Sequence, residues 1–263
     1  MGLITSPRNA RVANALALRT RAGRRDSLRF LVEGPGPVRE ALRARVVVEL
    51  FRDPSATGEV AEAAAAAEAA SVPVRDVTPP VLAKLAATVS PRGPVAVCDR
   101  VDVPIDRLEP GRGVVVVLVE IRDPGNLGAV IRSADAAGAA GVVVSDASVD
   151  VYNEKVVRAS AGSLFHVPIV RRGRIADIAT SLRDRGCALY AAAADGESNV
   201  FEARAARPVA LFLGNEAHGL APEVRASMDG SLRVPMRGGA ESLNLAAAAA
   251  VMLFALARRG GKV

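Results

Sequence analysis

Three short segments in the second half of the chain carry the side chains best suited to binding and chemistry. They are Arg122–Gly128 with the nearby Arg132, then Leu213–Leu220, then Val234–Asn244. Each follows an apolar run that predicts a buried strand. Because ligands of parallel α/β sheets bind beyond the carboxyl ends of the strands, we expect the three segments to share one site.

The first segment combines turn-forming glycines with a helix start. Gly125 and Gly128 allow a tight turn and close backbone approach, and Asn126 stands where it can cap the following helix. That helix N-terminus and Arg132 together suit a phosphate. An NAD-linked Rossmann oxidoreductase is therefore one alternative, but the spacing is GxxG rather than GxGxxG, and the acidic residue expected after the next strand is met only loosely.

The other two segments carry polar residues beside predicted apolar elements, which indicates a structural or functional role for them. Glu216 lies close to a buried strand end and needs a partner, and capping a helix is its simplest structural role. Either Ser242 or Asn244 can cap the apolar helix that follows, but capping does not explain the whole Ser-Leu-Asn sequence after a glycine loop. His218 is a possible metal ligand. However, His166 is the one other histidine, and the two are not spaced as the ligands of a metal ion usually are, so we predict no metal site.

The elements that must position these segments form an α/β pattern. The β-branched run Gly113–Ile121 predicts a strand buried on both faces of a parallel sheet, and the chain closes with a predicted helix at Leu243–Arg259. Strands and helices also alternate in the first 101 residues. We therefore predict a small α/β domain at 1–101, a Pro- and Gly-containing linker at 102–112, and a larger α/β domain at 113–263.

Charge is concentrated at the start of the chain. The net charge is +6, and residues 1–30 hold seven arginines and one aspartate, which accounts for the whole excess. A basic segment, predicted to be helical over 1–22, suits phosphate contacts, although a solvated helix is the alternative. Aromatic residues are 3% of the chain, which argues against recognition of several stacked bases.

Other features favour a reduced, cytoplasmic protein. Apolar runs are too short for a membrane span, and the first ten residues lack the apolar region of a signal peptide. Cys98 and Cys187 are far apart and form no CxxC pattern, so we expect no disulfide.

Taken together, the three segments resemble the SpoU family of RNA 2′-O-ribose methyltransferases, within the SPOUT superfamily. The similarity consists of NxGxxxR from Asn126, LGNExxGL from Leu213 and VPM…SLN from Val234. It covers residues 113–259. The resemblance implies a parallel sheet with a deep trefoil knot, S-adenosyl-L-methionine as cofactor, and a homodimer with active sites at the interface.

The resemblance also implies roles for individual residues. Arg132 would act as a base or as a cation that stabilises the developing alkoxide. Asn126 and Asn244 would orient the ribose and phosphate, Glu216 would orient Arg132 or an asparagine, and Ser242 would hold the edge of substrate or cofactor. The cofactor would be held by backbone at Leu213, Gly214, Val234, Met236 and Leu243.

The first domain is similar to the family's substrate-binding domain, with Phe30–Gly34 and Thr88–Val97 matching short motifs. We expect phosphate contacts from Arg8, Arg19, Arg21 and Arg25. The resemblance favours ribosomal RNA, most of all 23S RNA, with an antibiotic-resistance modification among the roles left open. A transfer-RNA methyltransferase and an RNA-binding protein without catalysis are the alternatives.

Overall fold

The structure is a computed structural model that describes residues 2–86, 93–111, 113–203 and 208–258. Contacts within the chain divide it into two compact units. The first unit is Met1–Val101 with Tyr152–Phe165, and the second is Asp102–Val151 with His166–Val263.

The first unit is built on a four-stranded mixed sheet in the order β1-β4-β2-β3. Its strands are β1 (Arg29–Glu33), β2 (Val47–Arg52), β3 (Val74–Asp76) and β4 (Val95–Asp99). Its first five helices are α1 (Ala10–Ala17), α2 (Arg21–Ser27), α3 (Pro35–Arg43), α4 (Glu59–Ala69) and α5 (Pro79–Leu85). Strand β4 runs antiparallel to both β1 and β2, whereas β2 and β3 are parallel.

The basic start of the chain forms two helices, not the single helix predicted over 1–22. The side chain of Asn9 caps α1 by accepting a hydrogen bond from the Arg11 N–H at 3.0 Å. The Thr20 hydroxyl caps α2 by accepting one from the Gly23 N–H at 3.0 Å. The prediction was wrong because Thr20 provides a cap and so starts a new helix.

The second unit is built on seven parallel strands in the order β7-β6-β5-β10-β8-β11-β9. The strands are β5 (Val114–Leu118), β6 (Gly141–Val144), β7 (Ile169–Arg171), β8 (Ala188–Ala192), β9 (Ser198–Asn199), β10 (Val209–Leu213) and β11 (Gly230–Arg233). Its helices are α6 (Pro124–Ala136), α8 (Ile175–Asp184), α9 (Pro222–Ala226) and α10 (Leu245–Ala257), and α7 (Glu154–Ala159) belongs to the first unit. The predicted α/β class and parallel sheet are confirmed.

The centre of this sheet positions the candidate site. Every residue of β5 and β10 is buried, as expected for strands covered on both faces. Leu118 and Leu213 are paired, so the loops after both strands leave at the same edge. Helices α6 and α10 pack against each other beside them. The last helix begins two residues later than predicted because Asn244 caps it, and Arg259 lies outside the described residues.

Residues 102–111, within the predicted linker, pack into the second unit. Val103 forms a β-bridge with Val170, and Asp102 pairs with Arg171 at 3.1 Å. Leu108 is 2% exposed and belongs to the core of the unit. The proline and glycine content that indicated a linker therefore reflects an irregular but packed segment.

Segment 152–165 folds with the first unit although it lies between β6 and β7 in the chain. The ring of Tyr152 packs on Phe30 with centroids 4.5 Å apart. Glu154, at the start of α7, pairs with Arg19 at 2.9 Å. The sequence placed this segment in the second domain, and its pattern gave no indication of these contacts. None of the helices in the described part of the chain is long and apolar enough to cross a membrane.

Candidate functional site

A cavity of about 350 Å³ opens at the carboxyl ends of β8, β10 and β11 in the second unit. Its lining includes all five residues predicted to hold a cofactor: Leu213, Gly214, Val234, Met236 and Leu243. Glu216 and Ser242, from the predicted catalytic set, also line it. The volume lies in the range of about 300–1,000 Å³ that is typical of pockets for small molecules.

The backbone along one wall of this cavity is free for a ligand. Within the described residues, segment 234–243 makes no backbone–backbone hydrogen bond and forms neither helix nor strand. Val234 and Pro235 are half-buried and residues 236–243 are exposed, so the backbone groups of this wall are open to water or to a ligand. The free N–H and C=O groups can bind the polar edges of a ligand, while Val234, Met236 and Leu243 offer apolar contacts.

Glu216 ties the loop after β10 to the loop after β5. Its carboxylate accepts hydrogen bonds from the backbone N–H groups of Arg122 at 3.2 Å and Asp123 at 3.1 Å. It also accepts one from the Asn126 side-chain amide at 3.2 Å. Glu216 therefore contacts an asparagine, and Arg132 is not its partner.

These contacts determine the ionisation of Glu216. Burial acts to raise the pKa of the carboxyl. Hydrogen bonds to the carboxylate, from its own backbone N–H, from the Asn126 amide and from the 122–123 backbone, outweigh burial and lower the pKa below its usual value. The side chain is therefore a carboxylate at neutral pH and acts as an acceptor only.

The same network continues to the third segment. The side-chain oxygen of Asn126 accepts a hydrogen bond from the side-chain amide of Asn244 at 3.1 Å. The side-chain oxygen of Asn244 in turn caps α10 by accepting hydrogen bonds from the backbone N–H groups of Ala246 at 2.9 Å and Ala247 at 3.4 Å. One continuous chain of hydrogen bonds thus joins Glu216, Asn126, Asn244 and the start of α10.

The cap of α6 is Asp123, not Asn126 as predicted. The Asp123 carboxylate accepts from the Asn126 N–H at 2.7 Å, and Pro124 occupies the first helical position. An acidic residue directly before proline is a strong helix-start signal, so the sequence held the information. With Asp123 as cap, the Asn126 side chain is available for the network.

Two residues of the second segment shape its loop. The Asn215 amide donates to the Glu120 carbonyl at 2.9 Å and its oxygen accepts from the Ala217 N–H at 2.9 Å. A Cβ on Gly214 would overlap the backbone of Gly219. No role was predicted for Asn215, although an asparagine after a strand and a glycine is typical of such turns.

Arg132 lies apart from this cluster. It is exposed on α6 and is absent from the residues that line the cavity. Its side chain makes no hydrogen bond or ion pair with any residue that the structure describes. The structure thus brings together four of the five predicted catalytic residues and leaves the arginine outside.

The two histidines have separate surroundings. His166 pairs with Asp135 at 2.9 Å, and His218 is exposed beside the cavity. Over the described ranges, no group of three or more His, Cys, Asp or Glu side chains is placed to hold a metal ion.

The predicted RNA-binding arginines of the first unit have different surroundings. Arg19 pairs with Glu154 at 2.9 Å and donates to the Lys84 carbonyl at 3.0 Å, so it has a structural role. Arg25 pairs with its neighbour Asp26 at 2.8 Å in an exposed position. The side chains of Arg8 and Arg21 are exposed and bind none of the described residues.

Comparison with known proteins matches both units. A model of the SpoU rRNA Methylase family matches residues 113–254, and a model of the MRM3-like substrate binding domain matches residues 9–96. The chain is 33% identical, over 97% of its length and 99% of the relative's, to the 23S rRNA (guanosine(2553)-2′-O)-methyltransferase RlmP of Bacillus subtilis.

Two solved structures are similar over nearly the whole chain. The AdoMet-bound rRNA methyltransferase from Sinorhizobium meliloti aligns with a TM-score of 0.87 and 31% identity, over 99% of both chains. The SpoU methyltransferase AviRb from Streptomyces viridochromogenes, in complex with AdoMet, aligns with a TM-score of 0.85 and 32% identity, over 97% of this chain and 100% of that one.

Proposed function

Because the chain belongs to the SpoU rRNA methylase family, we propose that it transfers a methyl group from S-adenosyl-L-methionine to a ribose 2′-hydroxyl of RNA. The observation that carries this proposal is the cavity, whose apolar wall and unpaired backbone at 234–243 suit that cofactor. We take 23S ribosomal RNA, in the cytoplasm, as the substrate, since the Bacillus subtilis relative named for it aligns over 97% of this chain.

The residues of the cavity fit the cofactor. Backbone groups at Leu213, Gly214, Val234, Met236 and Leu243 would hold it. When bound, S-adenosylmethionine supplies a methyl group activated by a positively charged sulfur. The deep trefoil knot that the family implies around this pocket is part of the proposal.

The hydrogen-bond network serves to position the site. The described polar contacts of Glu216, Asn126 and Asn244 join these residues to one another and to backbone. We therefore assign them the task of holding the three loops in register, in place of the direct ribose and phosphate contacts expected for the asparagines. Errors of about 1 Å in such supports cost about a hundredfold in rate. Ser242 lines the cavity and would contact substrate or cofactor directly.

Arg132 supplies positive charge. A guanidinium stays protonated in proteins, and no described acidic group neutralises this one. We assign it the stabilisation of the negative charge that develops on the ribose oxygen as its proton leaves.

A homodimer completes the site in this proposal. Arg132 does not line the cavity of its own chain. Helix α10, beside α6, exposes Phe254 by 53%, and an exposed aromatic residue suits an interface. Arg132 would thus serve the cavity of a second copy.

Methyl transfer to deproteinised 23S RNA, followed by mapping of 2′-O-methyl sites, tests the activity. We expect a single methylated ribose; no transfer, or methylation of a base, would overturn the proposal. Arg132→Ala should lower kcat by about 10²–10³ with unchanged S-adenosylhomocysteine binding. Arg174→Ala, another exposed arginine of the second unit, is the matched control and should retain full activity.

Mixed dimers test the shared site. Arg132→Ala keeps its cavity, while Ala248→Trp fills the cavity but keeps Arg132. If Arg132 serves the other chain, the two inactive variants should regain activity when mixed and reassembled. Absence of any recovery in dimers shown to be mixed contradicts the shared arrangement while leaving the methyl-transfer assay unaffected.

A further inference from the structure

A second cavity, of about 590 Å³, lies wholly within the first unit and is unrelated to the cofactor cavity. It is a groove beside α1 and α2, and Val48, Pro73 and Val97 of the sheet region form its floor. Helix α1 contributes the small side chains of Ala15 and Ala17 together with Asn14. None of the arginines predicted to bind RNA lines this groove.

Three other arginines line it. Arg75 is 8% exposed and pairs with Glu49 at 3.3 Å inside the groove. Arg11, with a side chain 55% exposed, approaches the same carboxylate at 3.6 Å. Arg29, with a side chain 44% exposed, pairs with Asp99 at 2.9 Å. Exposed pairs of this kind are weak and exchange readily with other anions.

The groove combines apolar walls with a charged rim. Its apolar walls suit a flat ring, and its rim carries exposed guanidinium groups that hold phosphate oxygens and stack on bases. The Asn14 amide makes no hydrogen bond with the described residues, and the Glu49 carboxylate can accept from an amino group. Amides and carboxylates of this kind recognise the edges of unpaired bases.

We propose that this groove seats one unstacked nucleotide of the RNA substrate, with its base between α1 and the sheet and its phosphates on Arg11 and Arg29. The proposal rests on the proposed function, because it takes RNA as the partner. It explains how a chain with 3% aromatic residues binds a single-stranded base: aliphatic walls and guanidinium planes replace aromatic stacking.

Two full-length variants test the proposed nucleotide-binding groove, one by filling it and one by removing its positive charges. Ala17→Trp fills the groove without changing charge, since Ala17 is exposed and lines it. The double variant Arg11→Ala/Arg29→Ala removes the phosphate contacts and leaves the walls intact. Arg43→Ala is the control, because Arg43 is an exposed arginine of α3 outside the groove.

Binding of deproteinised 23S RNA is measured by filter retention across a salt series. We expect Ala17→Trp to raise Kd by about tenfold, in the range lost with one stacked base. The double variant should raise Kd and lower the slope of log Kd against log salt by about 1.4, since each contact with single-stranded phosphate contributes about 0.7. Arg43→Ala should match the unmodified chain.

An unchanged Kd in both variants would overturn the proposal that the groove binds a nucleotide. Weaker binding in the double variant alone would overturn it too, because the two arginines would then contact RNA outside the groove. S-adenosylhomocysteine affinity and circular dichroism verify that each variant is folded. Failure of the unmodified chain to methylate RNA would refute the proposed function; wild-type binding by the variants of an active enzyme would refute only the groove.

Discussion

The Glu216→Gln substitution isolates the contribution of the carboxylate that joins the loops after β5 and β10. One carboxylate oxygen accepts from the Asp123 N–H and the Asn126 amide, and the other accepts from the Arg122 N–H. Glutamine keeps the shape and one acceptor oxygen. Its amide nitrogen is a donor and would face a backbone donor where the second oxygen was.

The magnitude follows from the lost contact. A hydrogen bond to a charged group contributes about 1.5–3 kcal/mol when buried, but Glu216 is exposed and water replaces part of the loss. We therefore expect the free energy of unfolding to fall by about 1 kcal/mol at neutral pH. The rate effect should be larger, about tenfold to a hundredfold in kcat, because the displaced loop carries the cavity wall.

The stability difference between the two proteins should depend on pH. The pKa of Glu216 is lowered in the folded chain, and its unfolded value is about 4.3. The carboxylate therefore contributes its full stability above about pH 4.3, and this contribution is lost as pH falls through the folded pKa. Glutamine does not titrate, so the difference should shrink below about pH 4.3.

Urea unfolding from pH 7 to pH 3.5, with kcat measured at pH 7, provides the assay. Glu241→Gln is a matched control, since Glu241 lines the same cavity and accepts no hydrogen bond from the described residues. It should leave stability within about 0.5 kcal/mol of the unmodified chain. A Glu216→Gln stability loss that stays constant over the whole pH range would refute the role assigned to the carboxylate.

Three further substitutions or modifications have defined outcomes. Asn244→Ala removes the cap of α10 and the bond to Asn126, so thermal unfolding should show a loss of about 1–2 kcal/mol, and an unchanged Tm would contradict it. Gly214→Ala forces Cβ into the Gly219 backbone, so isothermal titration should show loss of S-adenosylhomocysteine binding; wild-type affinity would mean that the loop adapts freely. Burial raises the pKa of both Cys98 and Cys187, so iodoacetamide at pH 8 should label them only after denaturation, as counted by mass spectrometry, and rapid labelling of the native chain would exclude the buried placement.

The central sheet could be predicted because its pattern is local. The β-branched run around Val114–Leu118 has no polar residue, which leaves a strand covered on both faces as the simplest structure. Glycines and prolines separate it from its neighbours, so strand ends and loops follow from short windows of sequence. The five positions that the resemblance assigned to the cofactor line one cavity, where the loops after β10 and β11 meet the start of α10.

Contacts between distant segments could not be predicted in this way. Segment 152–165 lies between two strands of the second unit, and its packing on Phe30 depends on the shape of a surface more than 100 residues away in sequence. The hydrogen-bond partner of Glu216 could not be predicted from the sequence either, because arginine and asparagine side chains can both donate to a carboxylate. The positions of the two loops in the folded chain place the Asn126 side-chain amide 3.2 Å from the Glu216 carboxylate.

Helix geometry explains why the residues of the first motif divide between two tasks. Asn126 and Arg132 are six positions apart on α6, and about 100° per residue places their side chains about 120° apart around the helix. One residue can therefore face the loops of its own chain only if the other faces elsewhere. The structure assigns the inward direction to Asn126, which joins Glu216 and Asn244, and leaves Arg132 exposed. This division of directions on α6 supports the proposal that Arg132 serves the cavity of a second copy.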